Sequence, residues 1–245
     1  MSHAPLANII AHRGASADAP ENTLSALRLA AQHNARCVEI DVSISSDGVP
    51  FVHHDHTLHR CTTGTGLLCE HTASQLDQLN AGSGMSGFEN EPLPRLSTVL
   101  ELLKEHSLGL NLEIKPYEGL EEQTVDAIQA QIESAWPSDL ALVLSSFSHE
   151  SIDLARQRMP EVARAPLVGA VPDDWPAVMQ RYDAHNLHCA EDSLTQSQAQ
   201  MITKAGYGLY CYTVNDTDKA RTLLSWGVNG VFTDHPKTLL QVLET

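Results

Sequence analysis

Residues 37–55 read CVEIDVSISSDGVPFVHHD, and this stretch decides the fold. Over 37–44 the apolar residues alternate with polar or small ones, which is the two-residue period of a β-strand. Successive side chains of a strand point to opposite faces, so Glu39 and Asp41 project from the same face with one residue between them. The pattern therefore predicts a strand that carries two carboxylates on one side.

A turn follows this strand at Asp47-Gly48, a residue pair typical of two-residue β-hairpin loops. A two-residue turn at this point places His54, on the return arm, opposite Asp41. Two carboxylates and one histidine then meet on a single surface, and all three come from nineteen consecutive residues. We interpret the stretch as half of a metal-dependent active site.

Strand and helix patterns alternate along the rest of the chain. A short apolar run at 8–12 predicts the first strand, and the alternating segment 110–115 (LNLEIK) predicts the third. Further apolar runs between amphipathic segments predict later strands, including one at 167–171. If the return arm of the hairpin is left out, the chain has eight predicted strands and eight predicted helices.

Alternating βα units form a parallel sheet, and eight of them close into a (β/α)8 TIM barrel. We therefore expect an α/β protein with one TIM-barrel catalytic domain over 1–245. Residues 43–95 do not fit the alternation, because they begin with the hairpin and continue in 56–95 with scattered glycines and threonines and one short helical piece. We expect them to form a small hairpin and insertion after strand 2 that covers the C-terminal mouth of the barrel.

The composition excludes several classes of protein. With 15 Lys and Arg against 31 Asp and Glu, the net charge is −16, so we exclude a nucleic-acid partner, which needs a basic face. No apolar run approaches the roughly 18 residues of a membrane span. The N-terminus lacks the features of a signal peptide, and five cysteines without CxxC spacing are typical of a reduced protein. These features predict a cytoplasmic location.

Catalytic side chains of TIM barrels lie at the C-terminal ends of the strands. Glu39, Asp41 and Glu113 all occupy such positions on neighbouring strands, so we expect their carboxylates to converge. Three carboxylates without a cation would repel and raise one another's pKa, and a hard divalent cation with oxygen ligands removes that conflict. We predict one divalent cation at this site; the alternative is three separate solvated or salt-bridged groups.

Two of the 13 histidines also lie at predicted strand ends that face this site, namely His12 and His54. Two imidazoles that flank a phosphoryl group can serve as general acid and general base near neutral pH. Arg13 and Lys115 would add positive charge for a phosphate, since arginine can donate two parallel hydrogen bonds and lysine acts as a point charge. The alternative for both residues is an ion pair with the neighbouring carboxylates.

Five segments of the chain together resemble the glycerophosphodiester phosphodiesterase family. They are AHRGASADAPENT at 11–23, VEIDVSISSDGVPFVHHDHTLHR at 38–60, LNLEIKP at 110–116, YTVND at 212–216 and FTDHP at 232–236. The chain is most similar to the short cytosolic bacterial type. Two departures are RCTTG at 60–64, where the family usually has Arg-Thr-Thr-Asn-Gly, and Tyr212 in place of a common tryptophan.

The resemblance implies a (β/α)8 barrel with an insertion after strand 2, and it also implies a specific reaction. That reaction is hydrolysis of a glycerophosphodiester to sn-glycerol 3-phosphate and an alcohol, in which a glycerol hydroxyl attacks phosphorus and water then opens the cyclic intermediate. The implied site residues are Glu39, Asp41 and Glu113 for Mg²⁺ or Ca²⁺, His12 and His54 as the catalytic pair, and Arg13 and Lys115 for the phosphate.

Two other functions are compatible with the barrel. A lysophospholipase D-like phosphodiesterase would need an apolar groove for an acyl chain, and 56–95 has few large apolar residues. A non-catalytic binding module would lack some of the site residues, yet all seven are present. We expect a small-molecule glycerophosphodiester as the partner, while the alcohol head group, the choice between Mg²⁺ and Ca²⁺, and assembly as a homodimer remain open.

Overall fold

The computed structural model describes residues 5–82 and 84–243. This part of the chain contains nine strands: β1 Ile9–His12, β2 Cys37–Ile44, β3 Pro50–Val52, β4 Gly109–Ile114, β5 Leu142–Ser146, β6 Ala163–Val168, β7 Asn186–Ala190, β8 Gly208–Tyr212 and β9 Gly230–Thr233. It also contains a 3-10 helix, Leu68–Glu70, and nine α-helices: α1 Leu24–Gln32, α2 Ala73–Leu76, α3 Leu96–Glu105, α4 Glu121–Ala135, α5 His149–Arg158, α6 Trp175–Arg181, α7 Gln196–Lys204, α8 Thr217–Ser225 and α9 Pro236–Leu243.

Eight of the strands in the described residues form a closed parallel barrel. Hydrogen bonds join them in the order β1-β9-β8-β7-β6-β5-β4-β2, and β2 pairs with β1 to complete the ring. The return arm β3 is antiparallel to β2 and lies outside the ring. The prediction of a (β/α)8 TIM barrel, with the return arm excluded from the barrel, is confirmed.

Two apolar layers stabilise the barrel, because a parallel sheet is covered on both faces. Inside the ring, Ile10, Val143, Ala165, Tyr210 and Phe232 pack together. Outside it, the buried faces of the helices pack against the other face of the strands. This packing leaves the C-terminal strand ends for polar side chains.

The connection from β1 to α1 depends on a close approach of two backbones. Gly14 has φ +83°, and a Cβ at this position would lie 2.6 Å from the Ala26 carbonyl carbon. Only glycine meets both requirements, so Gly14 sets how closely α1 packs under the mouth. Thr23 caps the helix by accepting a hydrogen bond from the Ala26 N–H.

The hairpin after β2 has a three-residue loop, which differs from the predicted two-residue turn. The Ser45 N–H donates to the Val49 carbonyl over 2.9 Å, and Gly48 has φ +80°. A turn followed by a residue in the left-handed region is the common three-residue hairpin loop. The Asp47 side chain stabilises it by accepting a hydrogen bond from Ser45 Oγ.

The extra loop residue moves the register of the return arm by one position. Val42 pairs with Val52, and the His53 N–H donates to the Asp41 carbonyl. The prediction that His54 lies opposite Asp41 is therefore wrong, and His53 takes that position. His54 lies in the loop beyond the end of β3, and from there its side chain reaches the mouth of the barrel.

The insertion at 43–95 has an apolar cluster of its own, made of Phe51, Leu58, Leu68, Ala73, Leu76, Ala81 and Leu93 with Tyr117 from the loop after β4. The Tyr117 hydroxyl donates to the His56 carbonyl and accepts from the Leu68 N–H. These bonds attach the insertion to a loop that begins at the mouth of the barrel.

Strand β6 begins four residues before the strand predicted at 167–171. The observed strand runs from Ala163 to Val168 and ends before Gly169, and its second residue, Arg164, is fully buried. A charged residue makes a segment look unlike a buried strand, because its hydrogen-bond partners lie elsewhere in the sequence.

Among the described residues, none of the helices combines the length and the apolar character needed to cross a membrane.

Candidate active site

A pocket opens at the C-terminal mouth of the barrel, and its two sides differ in chemistry. The side built from β1, β2, β4 and the insertion carries His12, Arg13, Glu39, His54, Glu113 and Lys115. The other side carries Phe147, Leu167, Tyr212 and Phe232. Six of the seven residues predicted for the site therefore line one pocket, and the seventh, Asp41, is buried beside them.

Three carboxylates converge because β2 and β4 are adjacent and in register. Asp41 pairs with Glu113 across the two strands, and Glu39 lies two residues earlier on the same face of β2. One oxygen from each of the three lies within 4.8 Å of the others. Glu39 and Asp41 are only 3% and 1% exposed, so water cannot screen their charges.

This arrangement is unfavourable unless positive charge is added. Burial, followed by repulsion from Asp41 and Glu113, raises the pKa of Glu39 well above its ordinary value. Burial and the charge of Asp41 raise the pKa of Glu113 to about 7. Within the described part of the chain, Oε1 of Glu39 is buried without a hydrogen-bond partner. Three clustered carboxylates, one with an unpartnered oxygen, fit the oxygen-ligand set of a hard divalent cation.

Arg13 and Lys115 partly neutralise the carboxylates. Arg13 Nε lies 3.3 Å from Asp41 Oδ2, and the Arg13 backbone N–H donates to Glu39 Oε2. Lys115 Nζ lies 3.3 Å from Glu113 Oε1 and 3.8 Å from Asp41 Oδ1. The ion pairs that the sequence left as an alternative are thus present, and both cations also line the pocket.

Asn22 holds Asp41 from the side of the β1–α1 loop. Its Nδ2 donates to Asp41 Oδ2 over 2.8 Å, while its Oδ1 accepts from the Asp41 N–H. Asn22 has φ +59°, a conformation that asparagine adopts more readily than most residues. The role was not predicted from sequence, because the contact depends on the path of the loop.

A carboxylate orients His12. Its Nδ1 donates to Asp234 Oδ1 over 2.7 Å, and its Nε2 lies 3.9 Å from Glu39 Oε2. Burial acts to raise the pKa of Asp234, but hydrogen bonds from His12 and Asn215 outweigh it and hold that pKa below its ordinary value. Asp234 was not predicted as a site residue, although it lies in the segment FTDHP that contributed to the resemblance.

His54 has an equivalent partner in the next residue of the chain. Its Nδ1 donates to Asp55 Oδ1 over 2.6 Å. Burial is the largest cause that lowers the pKa of His54, and the charges of Arg13 and Lys115 act in the same direction. The two imidazoles are therefore alike: each Nδ1–H is bound by a carboxylate, which leaves Nε2 to exchange a proton.

The apolar side of the pocket is aromatic at its rim. Phe147, which is 52% exposed, packs edge-on against Tyr212 with ring centroids 6.0 Å apart. The Tyr212 hydroxyl donates to the Val168 carbonyl and fixes the ring. A ligand in this pocket would meet charges on one side and aromatic rings on the other.

Comparisons with known proteins identify the family of the chain. Residues 12–238 match the model of the glycerophosphoryl diester phosphodiesterase family. A glycerophosphodiester phosphodiesterase from Caldanaerobacter subterraneus subsp. tengcongensis is 30% identical over 241 residues, which cover 96% of this chain and 97% of that protein.

Two solved structures share the whole fold. A phosphodiesterase from Oleispira antarctica, in complex with the product sn-glycerol-3-phosphate, is 38% identical with a TM-score of 0.96 and covers 98% of both chains. A glycerophosphodiester phosphodiesterase from Agrobacterium tumefaciens is 29% identical with a TM-score of 0.80, covering 97% of this chain and all of that one. The resemblance drawn from the sequence is confirmed, and the chain is an enzyme that belongs to the glycerophosphoryl diester phosphodiesterase family.

Proposed function

We propose that this enzyme hydrolyses glycerophosphodiesters, the deacylated forms of phospholipids, to sn-glycerol 3-phosphate and an alcohol. The observation that carries the proposal is a pair of carboxylate-bound imidazoles beside three clustered carboxylates in one pocket. The bound product of the structurally similar Oleispira antarctica enzyme, sn-glycerol-3-phosphate, supports the same substrate class.

Glu39, Asp41 and Glu113 are the residues that would hold a divalent cation, Mg²⁺ or Ca²⁺. Their oxygen atoms and the unpartnered Glu39 Oε1 support this assignment. When bound, the cation supplies positive charge that offsets the charge developing on the phosphoryl oxygens. Arg13 and Lys115 extend that positive field into the pocket, where an anionic phosphodiester needs it because the chain as a whole carries a charge of −16.

His12 and His54 would move the protons. Hydrolysis breaks the bond between phosphorus and the alcohol oxygen and forms a new P–O bond. In the first step a glycerol hydroxyl attacks phosphorus and gives its proton to Nε2 of one imidazole, while the other imidazole donates its Nε2 proton to the departing alcohol oxygen. In the second step water attacks the cyclic phosphodiester with the two imidazoles in exchanged roles, one P–O bond to the glycerol breaks, and sn-glycerol 3-phosphate is released with net addition of one water. Asp234 and Asp55 keep each Nδ1 protonated, so each Nε2 is the atom that exchanges protons with the reactants.

The direct test is release of sn-glycerol 3-phosphate from glycerophosphocholine, glycerophosphoethanolamine and glycerophosphoglycerol. The purified chain is assayed after treatment with EDTA, and again after addition of Mg²⁺ or Ca²⁺. We expect release from at least one of the three, loss of activity with EDTA and recovery with the cation. No release from any substrate would refute the proposed activity, and full activity in EDTA would refute the cation.

A lysophosphatidylcholine sample distinguishes the lysophospholipase D-like alternative. That activity releases choline from a substrate that still carries an acyl chain, whereas the proposed enzyme prefers the deacylated compound. We expect a higher kcat/KM with glycerophosphocholine than with lysophosphatidylcholine. The opposite order would favour the alternative.

A further inference from the structure

The side chain of Arg60 joins two carboxylates from different parts of the molecule. Its Nε and Nη2 donate to Asp55 Oδ2 and Oδ1 over 2.7 and 2.8 Å. Its Nη1 and Nη2 donate to Glu21 Oε2 and Oε1 over 2.6 and 2.9 Å. Asp55 follows β3 in the insertion, whereas Glu21 lies in the loop between β1 and α1, so the guanidinium connects the insertion to the barrel.

Each of these carboxylates also accepts a hydrogen bond from a side chain of the pocket. Asp55 Oδ1 accepts from His54 Nδ1 over 2.6 Å, and Glu21 Oε1 accepts from Arg13 Nη1 over 2.8 Å. The five side chains form one continuous series of charge-assisted hydrogen bonds with Arg60 at its centre. Such bonds have stricter geometry than a simple ion contact, because the guanidinium is planar and its donors have fixed directions.

We expect Arg60 to make only a modest contribution to the stability of the fold. Its side chain is 43% exposed, and ion pairs at exposed positions are weak because water and salt screen them. Without Arg60, however, Asp55 and Glu21 would be two carboxylates with no shared cation. Asp55 would lose the partner that fixes its carboxylate plane, and the His54 ring would lose its orientation with it.

We propose that Arg60 is a positioning residue, which holds His54 and Arg13 in the relative arrangement that the reaction needs by bridging Asp55 and Glu21. This inference rests on the proposed function, in which His54 transfers a proton and Arg13 contacts the phosphate. It also gives the insertion a specific task, because Arg60 lies within the segment that carries His54.

Three variants test the role by steady-state kinetics. Arg60→Met removes the bridge, and we expect kcat to fall about 10- to 100-fold, by analogy with the loss seen when a residue that orients a metal-ligating side chain is removed. Arg60→Lys can pair with only one carboxylate at a time, so its kcat should lie between those of Arg60→Met and the wild type. Arg158→Met is the matched control.

Arg158 is 37% exposed and bridges Glu122 and Asp126 on the outer face of the barrel, where no pocket residue is involved. Its loss removes the same kind of exposed ion pair without touching the site. We expect the thermal midpoints of Arg158→Met and Arg60→Met to change by similar small amounts, while only Arg60→Met loses kcat.

A spectroscopic measurement separates this inference from the proposed activity. In ¹⁵N-histidine-labelled protein, the His54 signals are those absent from His54→Gln. We expect the wild-type ring to be protonated at Nδ1 and the Arg60→Met ring to shift toward protonation at Nε2. This readout does not require turnover, so it remains decisive even if no glycerophosphodiester is hydrolysed.

An unchanged His54 tautomer in Arg60→Met would overturn the inference, as would an equal loss of kcat in Arg158→Met. Wild-type kcat in Arg60→Met would do so too. Should Arg60→Met fold poorly, the conservative Arg60→Lys variant carries the same two measurements, and wild-type values for both would then refute the role.

Discussion

At the mouth of the barrel, the buried Glu39 and Asp41 and the partly buried Glu113 lie close enough to repel one another. One oxygen of Glu39 has no hydrogen-bond partner among the described residues. Near the start of β6, at the opposite end, Arg164 is equally buried but fully satisfied. Its guanidinium donates to the carbonyls of Met159, Pro160, Val162, Tyr182 and Asp183 and to the Asp183 carboxylate.

The difference shows what each buried charge does. Arg164 compensates its desolvation with hydrogen bonds and in return ties the end of α6 to the start of β6, which is a structural role. The carboxylate cluster is only partly compensated, by Arg13, Lys115 and Asn22, and the raised pKa values of Glu39 and Glu113 show the cost. Buried charge that the fold itself does not satisfy indicates a binding site.

Glu113→Gln should have the largest effect on function. The variant keeps the shape of the side chain but loses a carboxylate of the proposed cation site, so we expect kcat/KM to fall at least about 10³-fold, since a catalytic metal supplies several kcal/mol of transition-state stabilisation. Steady-state kinetics and calorimetric cation titration measure this. Wild-type activity at low Mg²⁺ would contradict the ligand role.

The same variant should stabilise the cation-free protein at neutral and higher pH. The folded Glu113 carboxyl binds its proton more tightly than the unfolded one, so the wild type loses stability as pH rises from about 4.5 to about 7. Glu113→Gln removes that loss. Thermal midpoints of the two proteins are compared in EDTA at pH 5 and at pH 8. Relative to the wild type, the midpoint of the variant should be higher at pH 8 than at pH 5.

His54→Ala should have the next largest effect, confined to function. We expect a fall in kcat of about 10²–10⁴-fold, the usual contribution of a general acid or base. Because His54 is not one of the clustered carboxylates, cation affinity by calorimetry should stay unchanged. Loss of that affinity together with activity would mean that His54 is itself a ligand.

At the other end of the barrel, Arg164→Met should reduce stability and leave activity unchanged. The substitution leaves buried carbonyls without donors, and we expect a loss of about 3 kcal/mol in the free energy of unfolding. Urea denaturation measures it, and kcat of the folded fraction should match the wild type. A fall in kcat without loss of stability would mean that the two ends are coupled.

Replacing His188, in the barrel interior, should have the smallest effect, which is a change in how stability depends on pH. It packs against Tyr210 and Phe232, and neither ring nitrogen has a hydrogen-bond partner in the described residues. Burial lowers the pKa of His188 to about 3. The unfolded chain binds a proton here below pH about 6.5 and the folded chain does not, so stability is lost as pH falls from 6.5 toward 3.

At pH 5 this loss is about 2 kcal/mol, since each pKa unit corresponds to about 1.4 kcal/mol. His188→Leu should abolish it, and its urea midpoint should depend less on pH between 5 and 7 than that of the wild type. An identical pH dependence would show that the ring gains a partner when protonated.

Local patterns were enough to predict the barrel and the convergence of the carboxylates. The alternation in 37–44 places Glu39 and Asp41 on one face of β2, and the same alternation in 110–115 places Glu113 on the matching face of β4. These are consequences of strand geometry, so they do not depend on distant parts of the chain.

The sequence did not reveal features that depend on loop conformation or on distant contacts. The hairpin register was wrong because one additional loop residue moved every opposed pair by one position. The partner of His12 is 222 residues away in Asp234, and nothing local to either residue predicts the contact. Strand β6 was misplaced because Arg164 can be buried only where the end of α6 and the loop after α5 offer it carbonyl groups.

The sequence alone determined the order of strands and helices and the class of the fold. It also supplied the residues proposed to bind a cation or transfer a proton, because residue periodicity and side-chain chemistry are local properties. The tertiary structure decided which nitrogen of each histidine faces the pocket, which buried charges are satisfied and how the insertion is attached to the barrel. Those properties arise from contacts between segments far apart in the chain, and only the closed ring of strands brings these segments together.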